Sequence, residues 1–429
     1  MTLSPATRVD LTADGPIGDD RPGHRALSGP RSSGWRTVGI VQLVVTIGFI
    51  AVNIDLDTLG VPDVLPLSSL TWLTIVAAWA IPVSLFVDEV SLRPRLDGAT
   101  SWLLVLFVLA ACSVFWSIHP GRSLVGATVS LAVLLGAYAA THALGWNAIC
   151  RLLSGSLLIF TASGLIRDIV SERLIASVPA VLAAEQRFAG LTFSPTDLGR
   201  IAAFGVVVSA LAAASTTGRG RVVHSAAMVV ALLALVSSGT RLVILGLLIV
   251  GAVAAIRRRT AASVLVAAVT TTALVAAMVF PSSLAESVAR PGEPAAHVLE
   301  FAGRTPVWSA ALDLVANRPL LGHGWMANEV VFREAFIADI IDFEAFTGHN
   351  MVVGVLVDLG VVGATLLLLA LIALWRSSRT TAGARLLLLL VLLTGTIEAT
   401  LSRPSLTIAV LGMIAAAATA APSSGADHG

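Results

Sequence analysis

The chain of 429 residues has no lysine, only two cysteines, and charged residues at just 12% of its length. A soluble domain carries about a quarter charged residues. With 56% hydrophobic residues and a mean hydropathy of +0.90, this sequence is that of an integral membrane protein. The two cysteines, Cys112 and Cys150, fall in or beside apolar runs, which fits buried thiols and excludes a disulfide framework. The sequence also lacks a solenoid repeat, zinc-ligand spacing and a Walker-type loop, so neither ATP hydrolysis, a structural metal nor a cofactor is expected. No nucleic-acid partner is expected either.

What is present is a succession of long apolar runs. A hydrocarbon core of about 30 Å takes about 20 apolar residues in a helix. On that measure spans are expected near 37–54, 67–87, 100–116, 122–141, 148–166, 198–216, 222–237, 240–256, 261–280, 351–375, 383–400 and 404–421. The expected fold is therefore all-α and polytopic, with about twelve transmembrane helices. The closest pair, 222–237 and 240–256, requires a tight turn at Ser237-Ser238-Gly239-Thr240-Arg241. The expected organisation is a cytoplasmic tail over 1–36, nine helices over 37–280, an extracytoplasmic loop over 281–350, three helices over 351–421 and a short tail over 422–429.

Because every basic residue is arginine, arginine alone sets the orientation. The N-terminal tail carries Arg8, Arg21, Arg25, Arg31 and Arg36, and alternate loops carry Arg93 and Arg95, Arg219 and Arg221, Arg257 to Arg259, and Arg376 and Arg379. The positive-inside rule puts those loops and both termini in the cytoplasm. The long polar segment Pro281–Asn350 then lies outside. All-arginine usage with spans rich in alanine and valine points to a GC-rich bacterial genome.

The outer segments have local order of their own. Arg167–Asp197 is apolar in its middle, at Leu174, Ile175, Val178, Val181 and Leu182, and reads as a helix lying along the interface. Within the long loop, Thr305 is a suitable N-cap and Pro306 suits the first helical position, with Trp308, Leu312 and Val315 at helical spacing. Arg318-Pro319 ends that helix and Gly322-His323-Gly324 makes a turn. A second amphipathic stretch follows, from Val330 through Phe332, Phe336 and Ile340 to Phe343, acting either as a fixed cap or as a moving lid.

Arginines on an outer surface run against the charge bias. Arg187, Arg241, Arg304, Arg318 and Arg403 all lie at expected outer ends, either paired with carboxylates or converging on a phosphate, which suits the planar guanidinium fork. Arg241 opens a helix that is otherwise apolar, where a charge is costly without a role. His349 stands where the loop re-enters the membrane, either as a proton acceptor for a hydroxyl or as a helix-end residue, with Asn350 beside it to cap the helix or orient a ligand. Asp358, deeper in the next span, is a functional candidate or a buried hydrogen-bond acceptor. Asp55-Leu56-Asp57 is a DxD pattern, either a metal ligand pair or a solvated loop.

Taken together, these residues resemble the O-antigen ligase and polymerase family of membrane glycosyltransferases. Gly348-His349-Asn350 followed by Val357-Asp358-Leu359-Gly360-Val361-Val362-Gly363 is similar to that family's re-entry motif. Gly303-Arg304, Trp308 and Pro319-Leu320-Leu321-Gly322-His323-Gly324 resemble its long outer loop, and Ser237 to Arg241 its serine-arginine turn. Arg187-Phe188-Ala189-Gly190 with Ser194 to Gly199 resembles a further segment, with Thr196 where the family has asparagine.

The resemblance implies a GT-C-like membrane fold and an inverting transfer that needs neither a nucleotide sugar nor a metal. It implies a polyprenyl-diphosphate-linked glycan as donor, a glycan, lipid or protein as acceptor, and membrane lipids as surroundings. His349 would activate the acceptor hydroxyl, and Arg241 and Arg304 would hold the diphosphate as it leaves. Arg187, Arg318, Asn350 and Trp308 would bind substrate. Two other readings stand beside it: a glycosyltransferase using a polyprenyl monophosphate sugar through Asp55 and Asp57, and a flippase for a lipid-linked saccharide.

Overall fold

The computed structural model describes residues 98–170, 188–192, 194–258, 304–337, 348–401 and 405–419. The spans expected near 37–54, 67–87 and 261–280, both tails, Asp55 and Asp57, Arg187, and most of the interfacial helix expected after Arg167 lie outside these residues.

The described residues are helical, with no strand among them. In chain order the helices are α1 (Gly98–Cys112, continued by a short 3-10 turn, Ser113–Phe115), α2 (Pro120–Leu144), α3 (Trp146–Val170), α4 (Pro195–Ala214), α5 (Gly218–Ser238), α6 (Arg241–Arg258), α7 (Arg304–Asn317), α8 (Asn328–Ile337), α9 (Met351–Ser377), α10 (Ala382–Gly395) and α11 (Leu406–Thr419). Six of them, α1 with its 3-10 turn, α2 to α5, and α9, are long and apolar enough to cross a membrane. α10 and α11 are apolar but shorter.

Local chemistry explains most of the ends. α2 begins with Pro120 at its first position, where the missing N–H costs nothing. α4 starts three residues before the expected span because Ser194 caps it, its Oγ accepting the Asp197 N–H at 3.1 Å, with Pro195 next. α5 ends at Ser238 on Gly239 in the left-handed region (φ 60°), which gives the expected tight turn into α6.

α10 departs from expectation. Its apolar run continues toward Thr400, but the helix stops at Gly395 and the chain turns through Thr396, Ile397 and Glu398. Glycine followed by two β-branched residues is a poor helix continuation, and hydropathy alone does not register it.

The core is built from close helix pairs. α4 and α5 pack side by side with α3 beside both, α9 lies against α1, and α10 lies against α6. α11 is buried on every side from Leu406 to Ala417, the pattern of a helix at the centre of a bundle. It lies against α2 with Gly412 facing the Leu134 carbonyl, where a Cβ would come within 2.5 Å of the oxygen.

The main irregularity lies in α9. Gly360 (φ 64°, ψ −164°) breaks the helix in a conformation that only glycine adopts readily. The backbone groups freed there are met by the segment after α7: Val361 N–H donates to Pro319 O (2.8 Å), His323 N–H to Val357 O (3.0 Å) and Gly324 N–H to Asp358 O (2.8 Å). The expected turn at Gly322–Gly324 is present, yet it does not stay at the surface.

The chain beyond that turn enters the bundle. Trp325 is fully buried with its ring edge-on to Phe107 of α1 at 5.7 Å, its backbone N–H donates to Ser113 Oγ, and its backbone carbonyl accepts from Ser123 Oγ of α2. Irregular backbone within a membrane bundle is tolerated where protein meets its polar groups, as these backbone hydrogen bonds do.

Candidate active site

Two distant parts of the long loop, at Arg304 and at His349, come to one place. Arg304 opens α7, one residue before the expected cap, and its Nε donates to Ile397 O at 3.2 Å. Its Nη2 lies 3.8 Å from Glu398 Oε1, both side chains being largely buried. Burial lowers the Arg304 pKa and the Glu398 charge raises it again, which keeps a guanidinium in place.

His349 stands at the end of the loop in a left-handed backbone conformation (φ 44°), uncommon for a residue with a Cβ. Its Nδ1 lies 3.5 Å from Glu398 Oε2. That separation is long for a hydrogen bond.

Neighbouring residues fix both parts. Asn350 caps α9 through Oδ1, which accepts from Val352 and Val353 N–H at 2.8 and 3.2 Å, while its Nδ2 donates to Thr396 O at 3.4 Å. Trp308, one turn after Arg304, donates from Nε1 to Gly348 O at 3.1 Å. Arg304, Trp308, His349 and Asn350 are therefore gathered around the turn Thr396–Glu398. Glu398 is the residue that sequence reasoning missed. The available signal was that it is the lone charge between Arg385 and Arg403.

Arg241 stands at the same end of the bundle. Thr240 donates from its hydroxyl to Pro195 O at the start of α4 (3.2 Å), whereas Gly383 at the start of α10 meets Leu211 near the end of α4. The far end of α10, which carries Glu398, thus shares a level with the start of α6. Phe188 N–H donates to Ser237 O at 3.3 Å, so the residue following Arg187 is tied to the turn that precedes Arg241.

Arg318 is not brought to this centre. It is exposed, donates from Nη1 to Trp116 O at 3.2 Å, and stands beyond the far end of α7, about 20 Å from Arg304 at 1.5 Å per residue. Asp358 takes the second of its two expected roles, as a buried hydrogen-bond acceptor for Asn328. Asp197 is held in a buried ion pair with Arg200 at 2.8 Å. Among the described residues no group of three or more His, Cys, Asp or Glu is placed to hold a metal ion.

Residues 226–368 match the model of the O-antigen ligase family. The family resemblance read from the motifs is thereby borne out over α5 to the greater part of α9, a stretch that contains Arg241, Arg304 and His349 but ends before Glu398. A comparison with curated proteins found no match. The chain is a multi-pass membrane protein in which residues 226–368 are similar to the O-antigen ligase family.

Proposed function

We propose that this protein transfers a glycan from a polyprenyl-diphosphate donor to an acceptor hydroxyl at the outer face of the plasma membrane. The observation that carries the reading is the convergence of Arg304 and His349 on the Glu398 carboxylate. With Nδ1 turned to Glu398, His349 uses Nε2 to take the proton from the acceptor hydroxyl, and the carboxylate holds the ring and stabilises the imidazolium that forms. The acceptor oxygen attacks the anomeric carbon as its bond to the diphosphate oxygen breaks, so the sugar inverts and the electron pair leaves with the diphosphate. Arg304 and Arg241 supply the positive charge that the leaving group needs, without ATP or metal. Arg187 and Asn350 bind substrate, and Trp308 fixes the segment that carries His349.

The flippase reading has one observation in its favour, the broken helix α9, since discontinuous helices line transporter pathways. Here the break is filled by the Pro319–Gly324 backbone and its carboxylate accepts from Asn328, which favours a structural role for the break.

The deciding experiment presents purified protein with defined lipid-linked oligosaccharides and reads both the glycan product and the released polyprenyl diphosphate. Transfer by the wild type, lost in His349→Ala with donor binding retained, is the expected result. Loss of activity on chelation or in Asp55→Asn would move the reading to a polyprenyl monophosphate donor.

A further inference from the structure

Asp358 is completely buried in the break of α9, and both its oxygens are engaged by one residue. Oδ1 accepts from Asn328 N–H at 2.8 Å and Nδ2 at 3.1 Å, while Oδ2 lies 3.0 Å from the same Nδ2. Asn328 opens α8, so a carboxylate also sits at the positive end of that helix. A buried charge is costly unless it is paired, and an apolar contact would hold two segments together equally well. What the carboxylate adds is register, because one seating of the re-entrant segment satisfies both oxygens.

That seating reaches the transfer site through two struts. α7 is tied near the clasp by His323 Nε2, which donates to Leu314 O at 3.1 Å, and at its other end by Trp308 to Gly348 and by Arg304 to the Ile397–Glu398 turn. The first part of α9, which follows His349 and Asn350, runs from Met351 to Asp358, about 10 Å at 1.5 Å per residue. The struts are packed on each other through Val307, Ala311 and Leu314 against Val353 and Val357. We infer that Asp358 and Asn328 form a positioning pair, clasping the re-entrant segment into the broken helix and so fixing where Arg304 and His349 meet Glu398. The inference rests on the transferase reading for its effect on turnover, though not for its effect on structure.

The test compares full-length wild type, Asn328→Asp and the exchanged pair Asn328→Asp with Asp358→Asn, purified in lipid nanodiscs. Two readouts are taken: donor kinetics, and hydrogen exchange of the amides at residues 348–353. Asn328→Asp sets two carboxylates against each other. Its expected kcat falls by about tenfold or more, as for a displaced reacting group, with donor KM little changed and faster exchange at 348–353. The exchanged pair restores one carboxylate against one amide and returns both readouts toward wild type. If Asn328→Asp does not fold, recovery in the exchanged pair still carries the inference. Wild-type kcat and exchange in Asn328→Asp, or an exchanged pair with transfer and exchange far from wild type, overturns it. A wild type that transfers nothing from the diphosphate donor defeats the proposed function instead, and the exchange readout then decides the clasp alone.

Discussion

Arg304 and His349, far apart in the sequence of the long loop, approach the two oxygens of one carboxylate, Glu398, at 3.8 and 3.5 Å. On the transferase reading the acid has two tasks: it orients the histidine, and it offsets the burial of the Arg304 guanidinium. Glu398→Gln preserves the shape and removes the charge. Its expected effect is a loss of kcat of about 10²-fold, the scale of general acid–base assistance, with donor KM less affected. Steady-state kinetics on the lipid-linked donor checks this, and unchanged kcat would remove Glu398 from the site.

Arginine and lysine separate at position 304. The guanidinium divides its donors, with Nε on Ile397 O and Nη2 toward Glu398. A lysine ammonium carries the charge but cannot make that divided contact. Arg304→Lys is expected to lose at least about half of the free energy lost in Arg304→Ala, a comparison that asks whether the planar fork matters beyond its charge. The ratio of kcat/KM between the two variants gives the answer.

His323 connects the re-entrant segment to pH. Burial lowers its pKa, and the nearby Arg318 charge acts in the same direction, while the hydrogen bond to Leu314 O and the charge of Glu334 oppose them. A lowered folded pKa means that the folded state holds the imidazole neutral when the unfolded chain, with a pKa of about 6.5, has begun to bind the proton. The contribution to stability is thus fully present above the unfolded value and is lost as pH falls through the folded one. Thermal unfolding at pH 7.5 and pH 5 is expected to show acid destabilisation that is smaller in His323→Gln, whose amide nitrogen can donate to the same carbonyl.

The helices were legible because runs of apolar residues of membrane length admit few alternatives, and the loop-end motifs marked Arg304 and His349. Two elements were hidden for physical reasons. Glu398 lies within an apolar stretch, and only the early end of α10 at Gly395 turns it toward the loop. The Asp358–Asn328 clasp joins residues 30 apart with no periodic pattern to connect them. The sequence placed Pro319–Gly324 at a surface because its glycines and proline signal a turn, but nothing local reveals that the turn fills a break in another helix. Arg318 resembled the other outer arginines, yet the length of α7 carries it away from them.

That seated turn leads to the sharpest prediction. Gly360 has φ 64° and ψ −164°, and a Cβ there would come within 2.3 Å of Leu320 O; the reciprocal position, Gly322, has φ 64° with a Cβ 2.5 Å from the Asp358 carbonyl carbon. Both contacts are with backbone, so no side chain can move aside. Gly360→Ala adds a conformational penalty of about 1–3 kcal/mol to a steric one of similar size. Its expected result is a lowered unfolding temperature and release of the Trp325 segment from Phe107 and Ser113. Exposure of Trp325 is read by its fluorescence after the other tryptophans are substituted. An alanine at 359, beside the break but with ordinary backbone geometry, serves as the comparison: Leu359→Ala loses packing without forcing the segment out. If Gly360→Ala leaves Trp325 buried and the unfolding temperature unchanged, the re-entrant segment is not held by this close approach.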